Sequence, residues 1–187
     1  MVSETRSEPD RGGRFGAVYV ITGVQAAGKS TVAQALAERL PRSAHISGDT
    51  FRRFMVGGRV EMSPDPSPEA LRQLRLRYRL AARSADEYAG AGFTAIVQDV
   101  ILGPELSYLI DRIHTRPLYV VVLAPRPEVV AQRESARTKT AYGPYTIADL
   151  DTILREDTPH LGLWLDSSDL TVDETVDRIL AARPLHR

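Results

Sequence analysis

The chain has 187 residues, 43% of them hydrophobic and 26% charged, and its 24 basic side chains balance its 24 acidic ones. That length suits one domain with a core of its own, and a formal charge of zero argues against a protein whose main work is gripping long nucleic acid. The absence of cysteine excludes disulfides, thiolate catalysis and cysteine-based metal sites, and fits a cytoplasmic location.

Residues 1–14 are polar and charged with no apolar signal core, and read as a disordered tail ahead of a single domain over 15–187. No run is long and apolar enough to span a membrane, so no membrane partner is expected. Ala17 to Thr22 is a β-branched, nearly unbroken apolar run, the mark of a strand buried on both faces in a parallel sheet. A helix is predicted from Lys29 to Leu40, with Val32, Leu36 and Leu40 four apart and Pro41 closing it. His45-Ile46-Ser47 is a brief second strand ending at Gly48-Asp49. Proline and glycine make 57–68 a loop. Ser67, with Pro68 at the first helical position, caps a helix predicted from Glu69 to about Ala89. Leu71, Leu74, Tyr78, Ala81 and Ala85 form its expected core stripe, and Arg72, Arg75, Arg79 and Arg83 line another face, read as a salt-bridged surface.

Phe93 to Val100 is the third strand; a helix through Leu106, Leu109, Ile110 and Ile113 leads to a fourth over Leu118 to Leu123. A helix from about Glu128 carries Arg133 and Arg137, Lys139 to Tyr145 breaks the pattern, and a short helix covers Ile147 to Glu156. Gly162 to Leu165 is the fifth strand. Thr171 and Glu174 form a capping box on the closing helix, which runs to Ala182. Strands alternating with helices predict an α/β fold, a parallel sheet between two helix layers.

Gly23-Val24-Gln25-Ala26-Ala27-Gly28-Lys29-Ser30 matches GxxxxGK[ST] in full, between a buried strand and an amphipathic helix. The glycines let backbone N–H groups wrap a polyphosphate, and the following helix adds the positive end of its dipole. Lys29 is expected to reach the β- and γ-phosphates of ATP or GTP. The Ser30 hydroxyl is expected to ligate Mg²⁺, with Thr31 behind it.

Ligands in open α/β sheets sit beyond the C-terminal strand ends. Asp49, at the end of the second strand, is a candidate to accept the proton of an acceptor hydroxyl, with Arg52 one turn on to neutralise charge; the alternative is that Asp49 caps the helix after it. Asp99, at the end of the third strand, is a candidate for the Mg²⁺ side, and its burial calls for a partner such as the cation or Ser30. Arg133 and Arg137 share a helix face and are candidate lid residues over the phosphates, in a lid spanning about 126–145; Arg126 and Lys139 are weaker candidates. The four histidines lack metal-ligand spacing.

With these residues placed, the stretch from Tyr19 to about Ala182 resembles the small P-loop kinases, among them chloramphenicol phosphotransferase, gluconate kinase, shikimate kinase and the kinase domain of polynucleotide kinases. Gly48-Asp49-Thr50-Phe51-Arg52 is similar to the Asp-x-x-Arg segment of polynucleotide kinases, where the aspartate is the base and the arginine assists. Gln98-Asp99-Val100 resembles the Asp-Asp-Val of chloramphenicol phosphotransferase, with Gln98 in place of the first aspartate. The resemblance implies a three-layer P-loop fold, a five-stranded sheet ordered 2-3-1-4-5, ATP with Mg²⁺, and an arginine lid. It implies phosphate transfer to a hydroxyl of a small molecule, an antibiotic or a metabolite. A polynucleotide 5′-hydroxyl is the second choice, and a nucleotide-dependent switch or partner-binding ATPase is an alternative of another class.

Overall fold

The computed structural model describes residues 16–136, 144–182 and 185–186. The segment read as a disordered tail, together with Arg137 and Lys139, lies outside them. In chain order the elements begin with β1 (Val18–Gly23), α1 (Lys29–Glu38), β2 (Ser43–Ser47), α2 (Gly48–Phe54), α3 (Pro68–Gly90) and β3 (Thr94–Gln98). There follow α4 (Glu105–Ile110), β4 (Leu118–Leu123), α5 (Pro127–Ser135), α6 (Ile147–Thr152) with a π-helical turn over Ile153–Asp157, β5 (Leu163–Leu165), α7 (Val172–Ala182) and β6 (Leu185–His186).

Strands β1 to β5 form a parallel sheet in the order β2-β3-β1-β4-β5, as expected. β1 is central: Val18 stands opposite Ala95 on one side and Leu118 on the other. Every β1 residue is buried although successive side chains alternate between faces, so both faces are covered. α1 packs on α7, and α3 on α2 and α4. Ile21, Leu36, Ile96, Leu106 and Leu118 are among the fully buried side chains, each stabilising the fold by about 2 kcal/mol through removal from water.

Local signals set the helix ends. Ser67 Oγ accepts from Ala70 N at 3.1 Å with Pro68 following it, and Thr171 and Glu174 close their reciprocal box. Two features differ from the sequence reading. Leu71 is half-buried and lines a cavity, whereas Leu74 packs against the core and also borders that cavity. The C-terminal β6, too short to carry a pattern, pairs antiparallel with β4. The parallel arrangement brings the ends of β1, β2 and β3 to one rim of the sheet, where Gly23, Gly48 and Asp99 lie side by side.

Candidate active site

β1 ends in Gly23, whose φ is 146°; a Cβ there would strike the Leu123 carbonyl, so only glycine lets the chain turn away from β4. Ala27 N donates to Val24 O at 3.2 Å and closes the turn. Gly28 (φ 97°) then caps α1, leaving the first N–H groups of that ten-residue helix at the loop. Lys29 is buried, and its ammonium donates to Val24 O at 2.7 Å, lying across the loop. Ser30 and Thr31 are exposed on the first turn. These contacts give Gly23 to Thr31 the shape of a phosphate cradle.

Asp49 sits inside the first turn of α2 and makes no capping bond; Ser47 holds the cap position. The capping alternative for Asp49 is therefore not what forms. Its carboxylate meets Arg52 Nε at 2.8 Å and Arg53 Nε at 3.3 Å. Arg52 also donates to Glu61 Oε1 at 2.8 Å, and Arg59 Nε reaches the same oxygen at 2.9 Å. The hydrogen bond from Arg52 to Asp49, with the charges of Asp49 and Glu61, holds that guanidinium above its usual range against the opposing effect of burial.

Asp99 directly follows β3 and is 9% exposed. One oxygen accepts from Val100 N at 2.8 Å. The other lies 2.8 Å from Arg77 Nε, a contact of charges without hydrogen-bond alignment. Burial pushes the Asp99 carboxyl above the usual aspartate range, opposed by Arg77, the Val100 N–H and Lys29. The partner that its burial required is thus Arg77, from α3, a residue the sequence reading passed over. Its signal was present: Arg77 falls between Leu74 and Ala81 on the apolar stripe, where an arginine needs a buried acid. Glu105 was also missed. It is 9% exposed and takes both oxygens to Arg75, with Arg75 Nη2 at 2.7 Å.

Above the phosphate loop on its other side, Arg133 donates to Ala27 O at 3.3 Å and Ser167 O at 3.1 Å. It borders a cavity of about 270 Å³ that also touches Gly28, Thr31, Leu170 and Val172. Arg126 is engaged elsewhere, forked onto Asp169 at 2.8 Å through both terminal nitrogens. The stripe on α3 divides: Arg72 pairs with Glu69 as expected, and Arg79 donates to the Tyr108 hydroxyl at 3.1 Å.

Lys29, Ser30, Asp49, Arg52 and Asp99 all line one larger cavity of about 890 Å³ beneath α3. Beside it the Tyr145 hydroxyl donates to Ser63 O at 2.5 Å, across 82 positions of chain. Among the described residues no cluster of three or more His, Asp or Glu could hold a cation by itself. The set does fit a magnesium ion bound chiefly by phosphate oxygens: the Ser30 hydroxyl opens onto the cavity, and Asp99 has a buried carboxylate oxygen with no hydrogen-bond donor.

A sequence profile described as an AAA domain matches residues 18–156, most of the chain. No curated protein sequence matches. Many solved structures share the fold, among them the following three. A sugar kinase from Janibacter sp. HTCC2649 has a TM-score of 0.67 at 19% identity, covering 89% of this chain and 94% of its own. The Mycobacterium tuberculosis APS kinase CysC in complex with AMPPNP and APS has a TM-score of 0.66 at 18% identity, over 89% and 96%. The Deinococcus radiodurans tunicamycin resistance protein has a TM-score of 0.60 at 19% identity, over 91% and 97%. The chain belongs to the AAA domain family.

Proposed function

We propose that this AAA-domain protein transfers the γ-phosphate of ATP to a hydroxyl group of a small molecule held in the cavity under α3. One observation carries the reading: the phosphate-loop residues Lys29 and Ser30 and the carboxylate residue Asp49 line the same cavity. Similarity in fold to a sugar kinase and an APS kinase supports it.

In this mechanism the backbone N–H groups of Gly23 to Thr31 hold the polyphosphate, and Lys29 leaves Val24 O to follow the β- and γ-phosphates. Arg133, beside the loop, leans over the nucleotide and adds positive charge near the transferring group. Ser30 and Asp99 would hold Mg²⁺, which neutralises charge on the β- and γ-phosphates when bound. Asp49 accepts the proton of the acceptor hydroxyl and holds that oxygen in line with phosphorus. Arg52, fixed between Asp49 and Glu61, keeps the carboxylate aimed.

The test is a radiolabelled-ATP transfer screen over pooled metabolites, aminoglycosides, amphenicols, nucleosides and 5′-hydroxyl oligonucleotides. Label on a small hydroxyl compound is the expected result. Asp49→Asn should then lower the transfer rate roughly 100-fold or more with nucleotide affinity nearly unchanged. ATP turnover that needs no acceptor and responds to a protein partner would replace this reading with a partner-binding ATPase.

A further inference from the structure

We infer that the acceptor is an amphiphilic alcohol: beyond the hydroxyl that meets Asp49 it carries an apolar portion of several carbons, seated on segment 55–62 and α3. The inference rests on the phosphotransfer reading for the word acceptor, and on the cavity wall for the chemistry.

Met55, Val60, Met62 and Leu71 line the larger cavity yet form no part of the hydrophobic core. Val60 is 39% exposed and the other three are half-buried. Leu74, Leu102 and Ile153 do pack on the core, and they add apolar surface to the same cavity from α3, the β3–α4 loop and the π-helical turn. A single exposed apolar side chain is ordinary. Several brought from four separate stretches of chain into one concave space make a surface for an apolar group.

The wall is held in place. The connection over 55–67 has no helix or strand, but side chains anchor it at near-consecutive positions. Gln73 on α3 donates from Nε2 to Gly58 O at 2.9 Å and accepts from Val60 N at 2.9 Å. Glu61 takes Arg52 at 2.8 Å and Arg59 at 2.9 Å, and Ser63 O accepts from the Tyr145 hydroxyl. Such fixing spares a ligand the entropy of ordering the surface that it covers.

Arg52 ties this wall to the chemistry, because it meets both Asp49 and Glu61 at 2.8 Å, and Met62 follows Glu61. A hydroxyl at Asp49 therefore leaves the rest of its molecule within reach of Met62. The cavity volume of about 890 Å³ suits a drug-sized compound. Covering these side chains removes apolar surface from water, a gain that a small polyol does not make.

The experiment uses straight-chain 1,2-diols that differ only in apolar length: propane-1,2-diol, pentane-1,2-diol and octane-1,2-diol. Binding to the full chain is titrated by ligand-observed saturation-transfer NMR. Affinity is expected to rise along the series, by at least about tenfold from propane-1,2-diol to octane-1,2-diol. Met62→Gln and Leu71→Asn change side chains outside the core, and each should lower octane-1,2-diol affinity about fivefold and flatten the series. Absence of binding, equal binding of all three diols, or a series as steep in both variants as in the parent protein would each overturn the inference. A parallel assay of label transfer from ATP separates the two readings. Chain-length selectivity without any transfer supports the apolar wall and counts against the phosphotransferase. Transfer to a polar acceptor together with a flat diol series does the reverse.

Discussion

Arg77 and Asp99 meet at 2.8 Å with side chains 13% and 10% exposed, the most buried ion pair among the described residues. The pair joins α3, the wall of the larger cavity, to the end of β3 beside the phosphate loop. Arg77→Met removes the counter-charge and leaves a buried carboxylate, which should cost about 3 kcal/mol in urea unfolding at neutral pH. The double variant Arg77→Met with Asp99→Asn should recover most of that loss. A double variant as unstable as the single one would mean that Arg77 acts by packing and not by charge.

Gly48 is the space that Asp99 occupies. A Cβ at position 48 would fall on the Asp99 carboxylate, and the backbone there is buried. Gly48→Ala should therefore displace Asp99 and destabilise the fold by about 1–3 kcal/mol. Weaker retention of Mg²⁺ with nucleotide should accompany it, measured by titration calorimetry at fixed nucleotide. A variant with unchanged melting temperature and metal affinity would show that the carboxylate moves aside freely.

Lys29→Ala should abolish nucleotide binding or reduce ATP turnover by roughly 100-fold or more, because the ammonium at Val24 O is the sole lysine among the described residues. Equilibrium binding of a fluorescent ATP analogue checks it. Retained tight binding would separate the loop from the polyphosphate.

His45 gives the stability a pH dependence. Its Nδ1 lies 2.9 Å from Gln34 Oε1, its Nε2 is buried without a hydrogen-bond partner, and burial lowers its pKa below the ordinary 6.5. The unfolded chain takes up a proton near 6.5 while the folded chain still resists it, so this contribution is full above 6.5 and is lost as pH falls through the lowered value. Melting temperature should decline on acidification below 6.5, and His45→Asn should flatten that decline. Parallel profiles for the two proteins would assign the slope to other groups.

Much of the fold was legible because its determinants are local. The run at Val18 to Gly23 is buried on both faces, and Ser67 and Thr171 cap the helices they precede. The site was legible where a strand end and a turn lie next to each other in sequence, as at Gly23 to Ser30 and at Asp49. It was not legible where partners come from distant elements. Arg77 and Asp99 are 22 positions apart, and no periodicity says that an arginine on α3 will find the aspartate that follows β3. Arg126 illustrates the reverse: its place after β4 suggested a lid, yet Asp169 lies within reach and takes both ends of the fork.

By itself the sequence determined the phosphate cradle and the parallel sheet. The left-handed turn, the buried strand and the helix start are set by residues adjacent along the chain, and burial on both faces leaves few other ways to fold. The tertiary structure alone decided what the cradle looks out upon. Two segments far apart in the chain touch beside the cavity through Tyr145 and Ser63, and the surrounding acids engage its arginines. Ion pairing inside that space is a property of side chains brought together by folding, and no order of residues along the chain expresses it.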